Sequence, residues 1–259
     1  MDTLYTIIIC FIAGIGAGLG TGFAGMSAAV AISPILIAFL DMDPYSAVGI
    51  ALASDVLASA ISAYTYGKNK NLDIKNGLAM MLAVMMFTFV GSWVASLLPD
   101  RTMGNFSMFT TLLMGIKFFV QPVNTTKEAM TQTDPQKRLI KSLIWGAIIG
   151  YICGFVGAGG GMMMLLVLTT VLGYELKTAV GTSVFIMAFT ALTGAVSHFA
   201  IDGSPNWLVL AVCAGSTLLW AQIGAKFANK ADTKTLNQAT GIVLVLLSCA
   251  VLVVEFFVK

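Results

Sequence analysis

Residues 154–164 read GFVGAGGGMMM and residues 20–27 read GTGFAGMS. Both stretches interrupt long apolar runs with closely spaced glycines, and both precede a short apolar segment, predicted as a helix over 27–40 and over 162–172. A helix that starts at such a break presents unpaired N–H groups and a partial positive charge, which together bind anions. Glycine lets the main chain approach a ligand with no side chain in between. The chemistry on offer is recognition of a small anion by backbone amides. The candidate residues are Thr21, Gly22, Gly25 and Ser27 in one stretch and Gly157, Gly159, Gly160 and Gly161 in the other. The earlier pairs Gly14–Gly18 and Gly146–Gly150 read instead as close packing between helices. Ser27-Ala28-Ala29 stands where the other stretch has three glycines, so the cradle is expected to be asymmetric, with a hydroxyl on one side.

Other polar residues lie at membrane depth. Thr182 and Ser183 could add hydroxyl donors to the same cavity, or bond back to the preceding helical turn with no further role. Asp55 falls midway along an apolar helix, flanked by Ser54 and Ser59. Acids in such positions are costly and usually functional, so it is a candidate for proton coupling or cation coordination, with a hydrogen-bonded structural acid as the alternative. A protonated or transiently titrating Asp55 would suit an anion site better than a fixed charge. His198 reads as an interfacial histidine bonded to a loop, or as a gate. Gly25-Met26-Ser27 with His198 raises an intramembrane serine hydrolase, but it lacks the glycine after the serine. Cys10, Cys153, Cys213 and Cys249 are scattered at no metal-like spacing and read as buried thiols. The methionines, Met162–Met164 included, read as flexible packing. No metal and no cofactor is expected.

These residues must be positioned by membrane helices. Of 259 residues 58% are hydrophobic and only 10% are charged, against about 25% charged in a soluble domain. Apolar runs longer than about 18 residues recur, the pattern of a polytopic helical membrane protein. A net charge of +2 without a basic tract argues against nucleic acid. The expected partners are a small anionic substrate and the lipid bilayer, and the pattern leaves a homo-oligomer open.

Shifting the sequence by 132 residues aligns the chain with itself. Gly14, Gly18, Gly22, Phe23 and Gly25 meet Gly146, Gly150, Gly154, Phe155 and Gly157, and Ala47-Val48-Gly49 meets Ala179-Val180-Gly181. Each half reads as a glycine-broken apolar stretch plus three spanning helices. The segments are 4–40, 45–66, 76–98 and 103–121, then 139–172, 177–199, 206–228 and 236–258. The organisation is a first repeat over 1–121, a polar linker over 122–138 and a second repeat over 139–259. Pro, Asn and Thr disfavour a helix in the linker.

Lys and Arg concentrate in cytoplasmic loops, so their placement tests the topology. If each broken stretch crosses once, nine of the fourteen basic residues lie inside and five outside. If each enters and leaves on one side, only Arg101 and Lys259 remain outside, giving twelve to two. The second arrangement is preferred. Three crossings per half then force the second copy to insert upside down, a plan shared with many secondary transporters. The expected fold is all-α and polytopic, with two inverted repeats, a cytoplasmic linker and both termini outside.

The pairs GFAGMS…AVGIA and GFVGAGGG…AVGTS, over a chain of this length with two four-segment halves, resemble the sulfite exporter family, TauE/SafE. The resemblance covers essentially the whole chain. It implies a cell-membrane transporter, not an enzyme, that moves small sulfur-containing or organic anions such as sulfite or sulfonates, with proton coupling. It implies substrate binding by Gly157, Gly159, Gly160, Gly161, Thr182 and Ser183. The weaker first-half cluster, Met26-Ser27-Ala28-Ala29, departs from the family pattern and leaves the particular anion open. A cation carrier or channel centred on Asp55 is the alternative.

Overall fold

The structure, a computed structural model, describes residues 3–95, 116–117, 120, 122–131, 134–156 and 160–257. Among them are ten helices: α1 (Thr3–Ala24), α2 (Ala29–Leu40), α3 (Pro44–Lys68), α4 (Ile74–Ala95), α5 (Lys127–Thr131), α6 (Pro135–Val156), α7 (Gly160–Thr170), α8 (Leu176–Asp202), α9 (Trp207–Lys230) and α10 (Thr233–Phe257). The first break falls at Gly25, and α6 ends at Val156 with α7 starting at Gly160. The expected span 103–121 and the loop holding Arg101 lie largely or wholly outside the described residues.

Local chemistry fixes the boundaries. Asp43 caps α3 by accepting from the Tyr45 and Ser46 N–H groups at 3.0 and 3.1 Å, with Pro44 at the first helical position. Asn206 caps α9 in the same way, through Leu208 and Val209. At the end of α1, Gly25 turns left-handed at φ 60°, and its N–H closes on Thr21 O at 3.0 Å.

The linker is a correction. It was expected to contain no helix, yet α5 forms within it and α6 starts at Pro135, four residues before the anticipated start of the second repeat. Proline breaks a helix from within but suits its first turn, where no N–H is needed. Asp134 completes the start by accepting from Gln136 N–H at 3.0 Å. The linker is also tied down, because the Asn237 side chain both accepts from Val123 N–H and donates to Val123 O, at 2.8 and 3.0 Å.

By length and composition, α1, α3, α8 and α9 are able to cross a membrane. Large apolar side chains point outward, with Leu82 58%, Met86 68% and Leu246 63% exposed, while buried positions mix Ala, Ser and Thr with larger apolar residues such as Ile32, Leu36 and Met80. An apolar exterior suits a lipid surround, where association relies on small residues that let backbones approach. The seams are built that way. A Cβ on Gly18 would stand 2.5 Å from Thr217 O, and one on Gly22 2.5 Å from Ala221 O, so α1 lies directly on α9 and runs parallel to it. Gly146 and Gly150 seat α6 on α4 in the same manner, against Met80 and Val84.

The third helices of the two halves, α3 and α8, cross antiparallel at the centre. Gly49 packs on His198 and Gly181 packs on Tyr66, and the second pair is the first displaced by 132 residues in each member. The broken stretches double back. At one end of the bundle the Tyr174 hydroxyl, just after α7, donates to Asp73 Oδ2 at 2.7 Å, and the Arg138 guanidinium, near the start of α6, lies 5.2 Å over the Tyr174 ring. The α6–α7 pair therefore starts and finishes at the same end. Burial and the neighbouring Asp73 carboxylate push the Tyr174 hydroxyl well above its usual value. Lys127 Nζ bonds Lys70 O and Asn71 Oδ1, Asn71 Nδ2 bonds Asn229 Oδ1, and Lys177 Nζ bonds Asn229 O, all between 2.5 and 3.0 Å. At the opposite end, His198 stacks on Tyr45 with ring centres 4.1 Å apart.

Candidate functional site

The start of α7 meets the first break inside the bundle. A Cβ on Gly161 would collide with Gly25 O and with Met187 Sδ, and would lie 3.2 Å from Ser27 N. The first residues of α7 thus rest directly on the loop between α1 and α2. On the other side of that loop, a Cβ on Gly25 would collide with the Ser183 hydroxyl of α8. Gly25, Ser27, Gly161 and Ser183 therefore share one small volume. Only glycine fits at 25, for its left-handed φ as well as its crowding.

Asp55 lies against this volume, 1% exposed. Its Oδ2 accepts from Ser27 Oγ at 2.7 Å and its Oδ1 from Ser59 Oγ at 2.9 Å. Ala29 N–H approaches Ser27 Oγ at 3.4 Å. The first amide of α2 thus points to a hydroxyl of the chain itself. The Thr21 hydroxyl stays within the turn, near Ala17 O at 3.0 Å and Met26 O at 2.8 Å. Gly22 O accepts from the wholly buried Tyr66 hydroxyl at 2.9 Å.

The remaining candidates are placed as follows. Gly160 adjoins the volume, but a Cβ there would meet only side chains, Cys153 Sγ at 2.7 Å and Met164 Cε at 3.4 Å. Ser183 Oγ bonds back to Val180 O at 2.9 Å while touching Gly25. Thr182 faces elsewhere, and its hydroxyl accepts from Asp73 N–H, at the start of α4, at 3.2 Å. One residue turns a helix by about 100°, so neighbours cannot both face one cavity. His198 is at the far end, with Nδ1 3.1 Å from Tyr45 O, and is not joined to Ser27 as a hydrolase pair would require. Gly157 and Gly159 lie outside the described residues. Among the described residues, no group of three His, Cys, Asp or Glu side chains is arranged to hold a metal ion.

Tyr66 and Met187 escaped the sequence reading. A signal existed for Tyr66, because Asp55, Ser59, Ser62 and Tyr66 are spaced four, three and four residues apart and are all buried on one face of α3. Met187 carried none in its type, since a methionine in an apolar helix is ordinary.

The family model described as Sulfite exporter TauE/SafE matches residues 10–251. The chain is 27% identical over 265 residues to the probable membrane transporter protein YunE of Bacillus subtilis, covering 96% of this chain and 97% of that one. It is 23% identical over 222 residues to YdhB of the same organism, also a probable membrane transporter protein, covering 86% and 90%. A probable membrane transporter protein of Haemophilus influenzae is 24% identical over 225 residues, covering 85% and 84%. No solved structure matches. With helices able to span a bilayer and a family model matched over nearly its whole length, the chain belongs to the sulfite exporter TauE/SafE family of membrane proteins.

Proposed function

We infer that this membrane transporter moves a small sulfur-containing or organic anion, of the sulfite or sulfonate class, by secondary transport across the cell membrane. The observation that carries the reading is the contact of Gly161 with Gly25 O and Ser27 N, which seats the first turn of α7 on the loop before α2 at a buried point. An alternating-access cycle follows if the two halves rock about this point, as in other transporters built from inverted repeats. The antiparallel crossing of α3 and α8 supports the inverted arrangement. So does the clustering of Lys70, Lys127, Arg138, Lys177 and Asn229 at one end, which we assign to the cytoplasm. Coupling to protons would run through Asp55, whose carboxylate bonds the loop itself.

Two measurements test this reading. In the first, the protein in proteoliposomes is expected to move radiolabelled sulfite or a sulfonate down its gradient, faster with an opposing pH step. Replacing Asp55 by Asn is expected to remove that pH response. Flux no greater than in empty vesicles for every small oxyanion tried would overturn the reading. In the second, single cysteines are introduced as Asp43→Cys, Leu72→Cys, Gly203→Cys and Asp232→Cys, and intact cells are treated with an impermeant thiol reagent. Labelling at 43 and 203 but not at 72 and 232 is expected, and labelling at 232 would sink the inverted topology.

A further inference from the structure

Turned away from the Asp55 face of α3, a groove of about 640 Å³ opens where α3 and α8 cross. Ala60, Ala63, Tyr64 and Lys68 of α3 form one wall, and Phe185 and Phe189 of α8 form the other. The two phenylalanine rings meet edge to face with centres 5.4 Å apart, which makes that wall firm. The groove faces outward from the bundle, with Tyr64 67% and Phe189 43% exposed. Lys68 supplies the one charged side chain among its described lining residues. Lys68 is exposed at the end of α3, and its ammonium meets no acceptor among the described residues.

The groove is particular to one end of the crossing. Displacing its α3 wall by 132 residues gives Leu192 for Ala60, Val196 for Tyr64, Phe199 for Gly67 and Ala200 for Lys68. The opposite end thus carries larger apolar side chains where this end has alanine and glycine, and it lacks the cation. Phe199 packs there against Gly49, whose added Cβ would lie 3.1 Å from the ring. Small residues and a lysine therefore occur together at one end only, and the repeat by itself requires neither.

We propose that this groove binds an anionic phospholipid, with one acyl chain lying between α3 and α8 and the phosphate meeting Lys68 Nζ. The length fits, because the wall from Ala60 to Lys68 runs about 12 Å along the helix, most of the roughly 15 Å hydrocarbon depth of one leaflet. The chemistry is graded along it in the same sense. Alanine and phenylalanine line the deep part, Tyr64 has the apolar body and polar tip of an interfacial residue, and a lysine stands at the mouth, where it attracts a negative headgroup. A second copy of the chain seated on the groove about a two-fold axis would bring its own Lys68 toward the first, a like-charge contact. The proposal holds whatever the protein carries.

The test is a melting curve of the full-length protein, purified in an uncharged detergent and stripped of lipid. Dioleoyl phosphatidylglycerol is added to one sample and dioleoyl phosphatidylcholine to another, so that only the headgroup differs. A ligand stabilises the state it binds, and the anionic lipid is expected to raise the melting temperature by about 2–4 °C more than the neutral one, the shift of a single lysine–headgroup contact in a chain of this size. Lys68→Gln should abolish that difference, and Lys68→Arg should keep it. Lys75→Gln, close in sequence but outside the groove, should keep it too. Ala60→Leu, which gives the groove the residue found at its counterpart, should weaken the response to both lipids. Equal shifts from the two lipids in the native protein, or a difference that survives Lys68→Gln, would overturn the proposal. An equal rise from inorganic phosphate would overturn it as well, since a free anion would then suffice without a tail. So would an undiminished lipid response in Ala60→Leu, and if that variant fails to fold, the exposed Lys68→Gln still decides. Disulfide-linked dimers formed by Tyr64→Cys in native membranes, beyond any seen in the native protein, would give the groove to a second copy and also overturn it.

Discussion

The break between α1 and α2 and the start of α7 are packed in different ways. The first is closed by its own side chains: Thr21 within the turn, Tyr66 on Gly22 O, Ser27 and Asp55 at the start of α2. The second begins with Gly160 and Gly161, and its described neighbours are sulfur-bearing side chains and the first loop's backbone. A quasi-symmetric scaffold needs rigidity on one side and room on the other if it is to bind a ligand and still move. A segment that holds an internal carboxylate needs hydroxyl and amide donors more than it needs bare backbone.

The comparison can be broken in graded steps. The largest effect is expected at Gly25→Ala, which forces a Cβ into a left-handed conformation costing roughly 1–2 kcal/mol and into the Ser183 hydroxyl. Thermal unfolding should register the loss, and an unshifted midpoint would mean that the first loop is looser than described. Next comes Ser59→Ala, which removes one donor to Asp55. Hydrogen bonds to charged groups contribute about 1.5–3 kcal/mol, so a measurable fall in stability is expected, and in the Asp55→Asn background the same change should matter less. Tyr66→Phe frees Gly22 O at about 0.5–1.5 kcal/mol, a smaller fall on the same assay. The smallest effect is expected at Gly215→Ala. Gly215 lies on α9 with nothing within 4 Å of its added Cβ, so alanine should leave flux unchanged and raise helix stability by up to about 1 kcal/mol.

Much of the scaffold was legible in the sequence because lipid imposes simple rules. Spans expected at 45–66 and 206–228 fall at Pro44–Lys68 and Trp207–Lys230, since apolar length and the caps at Asp43 and Asn206 act locally. Glycine density located the first break, at Gly25, for the same reason. What could not be read was direction. Thr182 and Ser183 differ by one residue, and only tertiary packing turns Ser183 toward Gly25 and Thr182 toward Asp73. The Ser27–Asp55 bond joins residues 28 apart, and nothing in either neighbourhood announces it. In the linker, Pro135 was read as a breaker, whereas its position made it a starter.

The central claim is that the contact between the two breaks lies on the substrate's path, and adjacent glycines offer a direct test. A methyl group at Gly160 would meet only the ends of Cys153 and Met164, whereas one at Gly161 would meet the backbone of the opposite loop. Sulfite flux should be measured in proteoliposomes carrying Gly160→Ala or Gly161→Ala, each shown by its melting curve to be folded. The account predicts near-native flux for Gly160→Ala and a loss of at least about tenfold for Gly161→Ala, about 1.4 kcal/mol or more on the transport barrier. Equal flux in the two variants would contradict it.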